Sequence, residues 1–248
     1  MVSRDDPADY ETYKKYAGKP VGFQNRYYVT GNFLTVDDMF NAAQPQGTGT
    51  AHMIIGDLAY LDYNADGVVD TNDYIPSEYL NYPLTTYSLK LGFDWKGLSV
   101  SALIYAPVGF NKLYPGYYLY DFPYGNLKAQ PNTMDRWTME TASATETLRP
   151  TIHGDMTYNK KTSTREYIDY SYIRLKSVDI SYTLPKSWQK AMHMASASVF
   201  ATGNNLLTFW KGDHRIDPET AESSGATSDY NNVYPIVKSY NLGLRFSF

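Results

Sequence analysis

The last ten residues of the chain alternate without a break. Tyr240, Leu242, Leu244, Phe246 and Phe248 share one face, and Ser239, Asn241, Gly243, Arg245 and Ser247 share the other. A repeat of two marks a strand whose sides meet different surroundings. A soluble sandwich can use this pattern. A chain closing on an aromatic of the apolar face is more typical of an outer-membrane barrel, where one side of each strand meets lipid and the other a wet lumen.

The remaining composition narrows the classes. Of 248 residues, 25 are tyrosine, an enrichment that suits strands, binding surfaces and the aromatic girdles of barrels. The net charge is −4 and no basic stripe is present, so no nucleic-acid partner is expected. The chain has no cysteine, which excludes disulfides and thiol catalysis. Its longest apolar run, 102–106, is far short of the ~20 residues of a transmembrane helix, so any crossing must be made by strands. Residues 1–6 carry charges and no apolar stretch, unlike a secretory signal. The expectation is that Met1 is not the native start and that 1–248 is the C-terminal partial barrel of something longer.

A hairpin stands out in the middle. Tyr87, Leu89, Leu91, Phe93 and Trp95 alternate with small and polar residues, Lys96 and Gly97 form a two-residue turn, and Leu98, Val100, Ala102 and Ile104 return. A strand over about 166–184 changes phase between Leu175 and Val178, which predicts a β-bulge near Lys176 and Ser177. A third segment carries Ala195, Ala197, Val199 and Ala201. With the C-terminus on the periplasmic side, the short links at Lys96–Gly97 and 185–194 fall inside, and the long ones, 107–164 and 211–234, fall outside. An extracellular loop insertion is expected over 35–85. An earlier strand, about 20–30, makes roughly six. The fold class expected is all-β: an antiparallel transmembrane β-barrel segment of about six strands with long extracellular loops. Six strands enclose no nutrient-sized channel, and ~22 is the size of plugged outer-membrane transporters.

Within the 35–85 insertion, Asp62-Tyr63-Asn64-Ala65-Asp66-Gly67-Val68-Val69-Asp70-Thr71-Asn72-Asp73 has the spacing of a calcium loop. Side-chain oxygens of Asp62, Asn64, Asp66, Asp70 and Asp73 stand at positions 1, 3, 5, 9 and 12, with the Val68 carbonyl at position 7. Gly67 occupies position 6, where the chain must turn sharply. Asp in place of Glu at position 12 has a shorter reach. A structural Ca2+ bracing the loop is the expectation; a metal-free Asx-rich turn is the other reading.

Several stretches together resemble the C-terminal region of SusC/RagA-type TonB-linked outer-membrane proteins of Bacteroidetes. They are Gly56-Asp57-Leu58-Ala59-Tyr60-Leu61-Asp62, Tyr87 through Leu98, Asp135-Arg136-Trp137-Thr138, Tyr172-Ile173-Arg174-Leu175-Lys176-Ser177-Val178, Tyr182-Thr183-Leu184-Pro185-Lys186, Gly203-Asn204-Asn205-Leu206-Leu207-Thr208 and Asp217-Pro218-Glu219. The resemblance implies a 22-stranded barrel in the outer membrane with a plug, energised through the TonB complex. It also implies a SusD-like surface lipoprotein acting as a lid, and oligosaccharide or peptide substrates. The plug, TonB box and signal peptide belong to a region not represented in the sequence.

No catalytic constellation emerges. The four histidines show no zinc spacing, and neither a nucleophile elbow nor a P-loop occurs. The aromatic run containing Tyr114, Tyr117, Tyr118 and Tyr120, together with Trp137, is the candidate surface for substrate or partner contact, because tyrosine stacks on sugar rings and hydrogen-bonds through its hydroxyl; packing among the rings is the competing reading. Lys90, Asp94 and Arg174 would line a lumen or touch a plug, and Asp217 and Glu219 would form a loop turn around Pro218. The alternative to a transporter is a soluble secreted, calcium-stabilised β-domain that binds carbohydrate.

Overall fold

The computed structural model describes residues 12–45, 53–76, 80–114, 134, 136–141, 159, 161–212, 216–219 and 236–248. The chain divides into two units: Pro83–Phe110, Asp169–Ala221 and Val233–Phe248 make one, and Met1–Tyr82, Asn111–Ile168 and Glu222–Asn232 make the other.

The first of these units is a five-stranded antiparallel meander: β1 (Thr85–Trp95), β2 (Leu98–Val108), β3 (Tyr172–Thr183), β4 (Ser196–Trp210) and β5 (Ser239–Ser247), with neighbours in chain order. The turn between β1 and β2 places Lys96 at φ 47° and Gly97 at φ 90°, the paired positive values that a two-residue hairpin demands. A side chain on Gly97 would also meet the Thr183 carbonyl at 2.8 Å, so glycine is required twice over. The predicted bulge is present: register slips between Leu175 and Ser177 against both neighbouring strands, and Asn205 on β4 takes φ 54° beside the slip. The expected strand over 166–184 is interrupted at Tyr170–Ser171. Its first part, Tyr167–Asp169, pairs with Asn111–Leu113 outside the large sheet. The short link after β3 holds a six-residue helix, α1 (Lys186–Ala191).

The expected sixth strand over 20–30 does not join the sheet. The chain there turns at Gly22 (φ 81°) and forms two short pieces, Asn25–Arg26 and Val29–Asn32. These pair with Ile75–Pro76 and Leu58–Tyr60 in the second unit. Their apolar residues are claimed by a local core of Tyr27, Val29, Phe33, Met53, Leu58, Tyr60 and Val69. Tertiary burial has overridden the strand pattern.

Burial, with neighbouring Tyr74 and the Asp70 and Asp73 carboxylates adding to it, pushes the Tyr27 phenol well above its ordinary value of 10. Burial likewise raises Tyr74, whose ring lies 4.5 Å from that of Tyr27, centroid to centroid. Both phenols are therefore held neutral in the fold. Their contribution is intact below pH 10 and is lost as the pH rises through the higher folded-state values. Thermal melting should accordingly show falling stability above pH 10. Tyr27→Phe should lower stability by about 1 kcal/mol below that pH and flatten the alkaline decline. An unchanged alkaline slope in Tyr27→Phe would contradict the assignment.

Candidate functional site

Register converts the alternation of single strands into two continuous faces. One face holds the cross-strand rows Leu89–Ile104–Leu175–Leu207, Leu91–Ala102–Val178–Gly203–Tyr240, Phe93–Val100–Ile180–Ala201–Leu242 and Trp95–Leu98–Tyr182–Val199–Leu244. Each row is apolar from edge to edge. Phe93 is 57 % exposed and Leu242 80 %, so these side chains have no covering layer among the described residues. The opposite face holds Ser88–Tyr105–Arg174–Thr208, Gly92–Ser101–Asp179–Thr202–Asn241 and Asp94–Ser99–Ser181–Phe200–Gly243. An exposed apolar surface this wide marks a protein or membrane contact.

The ends of the sheet differ as well. The Lys96–Gly97 turn, the link carrying α1 and the C-terminus lie at one end, as the Trp95–Leu98–Tyr182–Val199–Leu244 row requires. All longer connections leave from the other end. Aromatic side chains mark both margins, with Trp95, Tyr182 and Trp188 at the short-link end and Tyr87 and Phe209 at the other. Eight residue steps from Tyr87 to Trp95 span ~27 Å along the strand, or ~20 Å of height at a tilt of ~40°, close to the ~25 Å apolar band of a barrel. No described helix is long and apolar enough to cross a membrane.

On the polar face, Arg174 is only 2 % exposed and makes three directed bonds. Its Nε donates to Thr208 Oγ1 at 2.9 Å, Nη1 to Glu219 Oε2 at 2.5 Å and Nη2 to Asp217 Oδ1 at 2.6 Å. Lys176, the bulge residue, pairs with the other Glu219 oxygen. The rings of Tyr172 and Tyr105 flank the two cations, at 5.3 Å from Arg174 and 5.4 Å from Lys176.

In the other unit, the loop from Asp62 to Asp73 wraps as a cation loop does. Ala65 and Gly67 take φ 59° and 83°, and the Asp62 carboxylate accepts from the N–H groups of Asp66 and Gly67. Asp73 is fully buried; its oxygens accept from Tyr63 N–H and Asp70 N–H, both at 2.8 Å. Asp66 takes hydrogen bonds from Val68 N–H and the Asn64 amide, and Asp70 from Asn72. Lys161 donates to the Val69 carbonyl at 3.3 Å. Burial draws the lysine's pKa down while Asp73 and Asp70 hold it up. The backbone path suits a cation, but the carboxylates serve the loop's own N–H groups. Among the described residues, no group of three or more His, Cys, Asp and Glu side chains converges as a metal cluster.

No family model matches the chain. Two curated proteins of Formosa agariphila are similar to it. TonB-dependent receptor P26 is 29% identical over 197 residues, 77% of this chain and 18% of that protein. TonB-dependent receptor P3 is 24% identical over 215 residues, 82% of this chain and 20% of that protein. The chain thus spans about a fifth of the length of the curated relatives it matches. Among solved structures, the RagAB peptide importer in its open-open state aligns with a TM-score of 0.59 at 20% identity, over 90% of this chain and 22% of that one. A further structure of the RagAB peptide transporter aligns at 0.62 and 19% identity, over 90% and 22%.

The chain is similar to TonB-dependent receptors of the SusC/RagA type. Its fold is that of an antiparallel segment of their barrel wall. The stretches that carried the resemblance have physical tasks in this SusC/RagA-like chain. Asp57 accepts from Ile54 N–H and from the Asn159 amide, while Asn159 Oδ1 takes Leu58 N–H, so one buried asparagine clamps the Gly56-Asp57-Leu58 step. Asn204 and Asn205 sit on β4 where the register slips.

Of the sequence-predicted contact residues, Tyr114 and Trp137 fall within the described residues. Trp137 is buried, with its ring against Gly56. Tyr114 is half-buried and its N–H bonds to the Glu166 carbonyl. Tyr117, Tyr118 and Tyr120 lie outside the described residues. The pairing of Arg174 with Asp217 and Glu219 was missed by reading the sequence. The available signal was two acids flanking Pro218 and two cations, Arg174 just before a predicted bulge and Lys176 within it, which spacing alone does not join.

Gly56 (φ 93°) is the tightest contact of the Trp137 anchor, since an added Cβ would stand 2.6 Å from the indole. Gly56→Ala should therefore cost about 3 kcal/mol through backbone strain and overpacking. Denaturant unfolding should register the loss, and Trp137 emission should shift to the red as the ring is displaced. An unaltered midpoint would show that the ring is not seated on this glycine.

Proposed function

We propose that this chain forms part of the wall of a TonB-dependent outer-membrane importer. Its cargo would be oligosaccharides or peptides, and a SusD-like surface lipoprotein would act as its lid. The observation that carries the reading is the pair of faces: rows apolar across five strands on one side, polar rows on the other, and short connections confined to one end. The similarity to proteins named TonB-dependent receptors supports the energy source. The peptide importer among the similar folds supports the cargo class at the level of fold. Coupling to the TonB complex and the surface lipoprotein follow from the same resemblance.

Facing lipid and facing water are separable by chemistry at adjacent positions, and a cysteine-free chain makes labelling clean. In the protein carried in outer-membrane lipid, a fluorophore on Leu242→Cys should be quenched by brominated acyl chains, and one on Asn241→Cys by aqueous iodide. Ile180→Arg, at mid-height of the apolar face, should cost about 2–4 kcal/mol, while Asp179→Arg should be tolerated. Reversal of the two quenching patterns would end the reading.

We also propose that the Asp62–Asp73 loop binds Ca2+ in a bracing role. Asp62, Asn64, Asp66, Asp70, Asp73 and the Val68 carbonyl would hold the ion, which would displace the exposed Asn64–Asp66 and Asp70–Asn72 side-chain contacts. Calorimetric titration should show heat with calcium that is lost in Asp66→Ala, together with a higher melting temperature for the calcium-loaded protein. Identical titrations for both proteins would eliminate the ion.

A further inference from the structure

Residues 216–219 belong to the connection between β4 and β5. Asp217 and Glu219 reach back across β4 to bond Arg174 on β3, on the polar face of the sheet. Thr208 of β4, aligned with Arg174, lies under this crossing and accepts the guanidinium Nε–H. Pro218, between the two acids, is buried, and Glu219 N–H closes on Asp217 Oδ1 at 2.9 Å, so the segment presents both carboxylates from one rigid turn. Two cations, Arg174 and Lys176, face two carboxylates, and the group is neutral as a set.

We infer that this cluster is a latch that holds residues 216–219 of the β4–β5 connection against the polar face of the sheet. A planar guanidinium divided between two separate carboxylates fixes direction as well as distance, which a lysine or an apolar contact cannot do. The latch engages one side of the sheet only. The apolar face cannot receive the segment, because Ile173 and Leu175, on either side of Arg174, point away from it and offer no partner for a carboxylate. That the covered side is the lumen side of a barrel rests on the function proposed above; the latch itself does not.

The bulge is part of the device. Lys176 is the residue that breaks the alternation, and at that position it turns toward the polar face to meet Glu219. A strand without the slip would send either Arg174 or Val178 to the wrong side. The latch and the continuity of the apolar rows are therefore set by one extra residue.

The test is the accessibility of Pro218→Cys in the complete membrane-inserted protein on intact cells, using a membrane-impermeant maleimide. With Arg174 present, labelling should be slow. Arg174→Gln and, separately, Asp217→Asn/Glu219→Gln should each speed labelling at least tenfold. Arg174→Lys, which keeps charge but not the fork, should fall between. The Asp217→Asn/Glu219→Gln pair alters only the connecting segment, so its effect is read without disturbing the strands; surface protein levels and heat-modifiable migration should match the parent. Equal labelling rates across all variants would overturn the latch. The quenching pattern at Leu242→Cys and Asn241→Cys independently decides the membrane reading, so the two can fail separately.

Discussion

The whole large sheet depends on keeping unlike side chains on its two faces. A single strand can satisfy that requirement by alternation alone. Five strands satisfy it only if every neighbour is in register, because a slip of one residue exchanges the faces. The rows from Phe93 to Leu242 and from Gly92 to Asn241 show the requirement met across the full width. The one place where a strand breaks step is the Lys176 bulge, and there the break restores phase: Leu175 and Val178 lie three apart in sequence yet on the same face. The hydrophobic effect sets which face each row takes, and the ladder hydrogen bonds transmit that choice from strand to strand.

This explains which parts of the fold were legible in the sequence. The hairpin from Tyr87 to Ile104, the bulge and the closing strand all rest on period-two patterning and turn chemistry, which are local. The disposition of short and long connections followed from them. What failed was the strand expected over 20–30. Tyr27 and Val29 have the alternation of a strand, but Leu58, Tyr60 and Val69 bury them in a separate core, and nothing local announces partners 30–40 residues away. The split of 166–184 failed for the same reason: Tyr167–Asp169 pairs with Asn111–Leu113 across a long connection. The Arg174 group is non-local in the same sense, since its acids lie 43 and 45 residues further along the chain.

The Asp62–Asp73 loop shows how one spacing can serve two ends. The oxygens that would surround a cation are also well placed to receive the loop's own N–H groups, since both tasks require the chain to curl around Asp62 and Asp73. Asp73 makes the point most clearly. Wholly buried, it would be costly as an unpaired charge, and it is satisfied by two backbone donors at 2.8 Å with the Lys161 amine in its field. The scaffold half of the motif, Gly67 at φ 83° and the Asp62 wrap, is therefore useful whether or not an ion joins it.

The same reasoning bears on why an arginine so deeply covered stands on the wall at all. A buried ion group contributes little net stability, because desolvation offsets most of its Coulomb attraction, and an apolar substitute of the same volume would often serve the fold as well. The strands around Arg174 do not need it for their position; the ladder to Tyr105 and Thr208 already sets that. The partner that gains is the connecting segment, which has no ladder of its own at 216–219. Apolar contacts would let that segment slide along the face, whereas a fork bonded to two acids on either side of Pro218 admits one seating. The polar cluster is best understood as positional: its energetic return is small, and what it supplies is a single place for a stretch of chain that would otherwise have many.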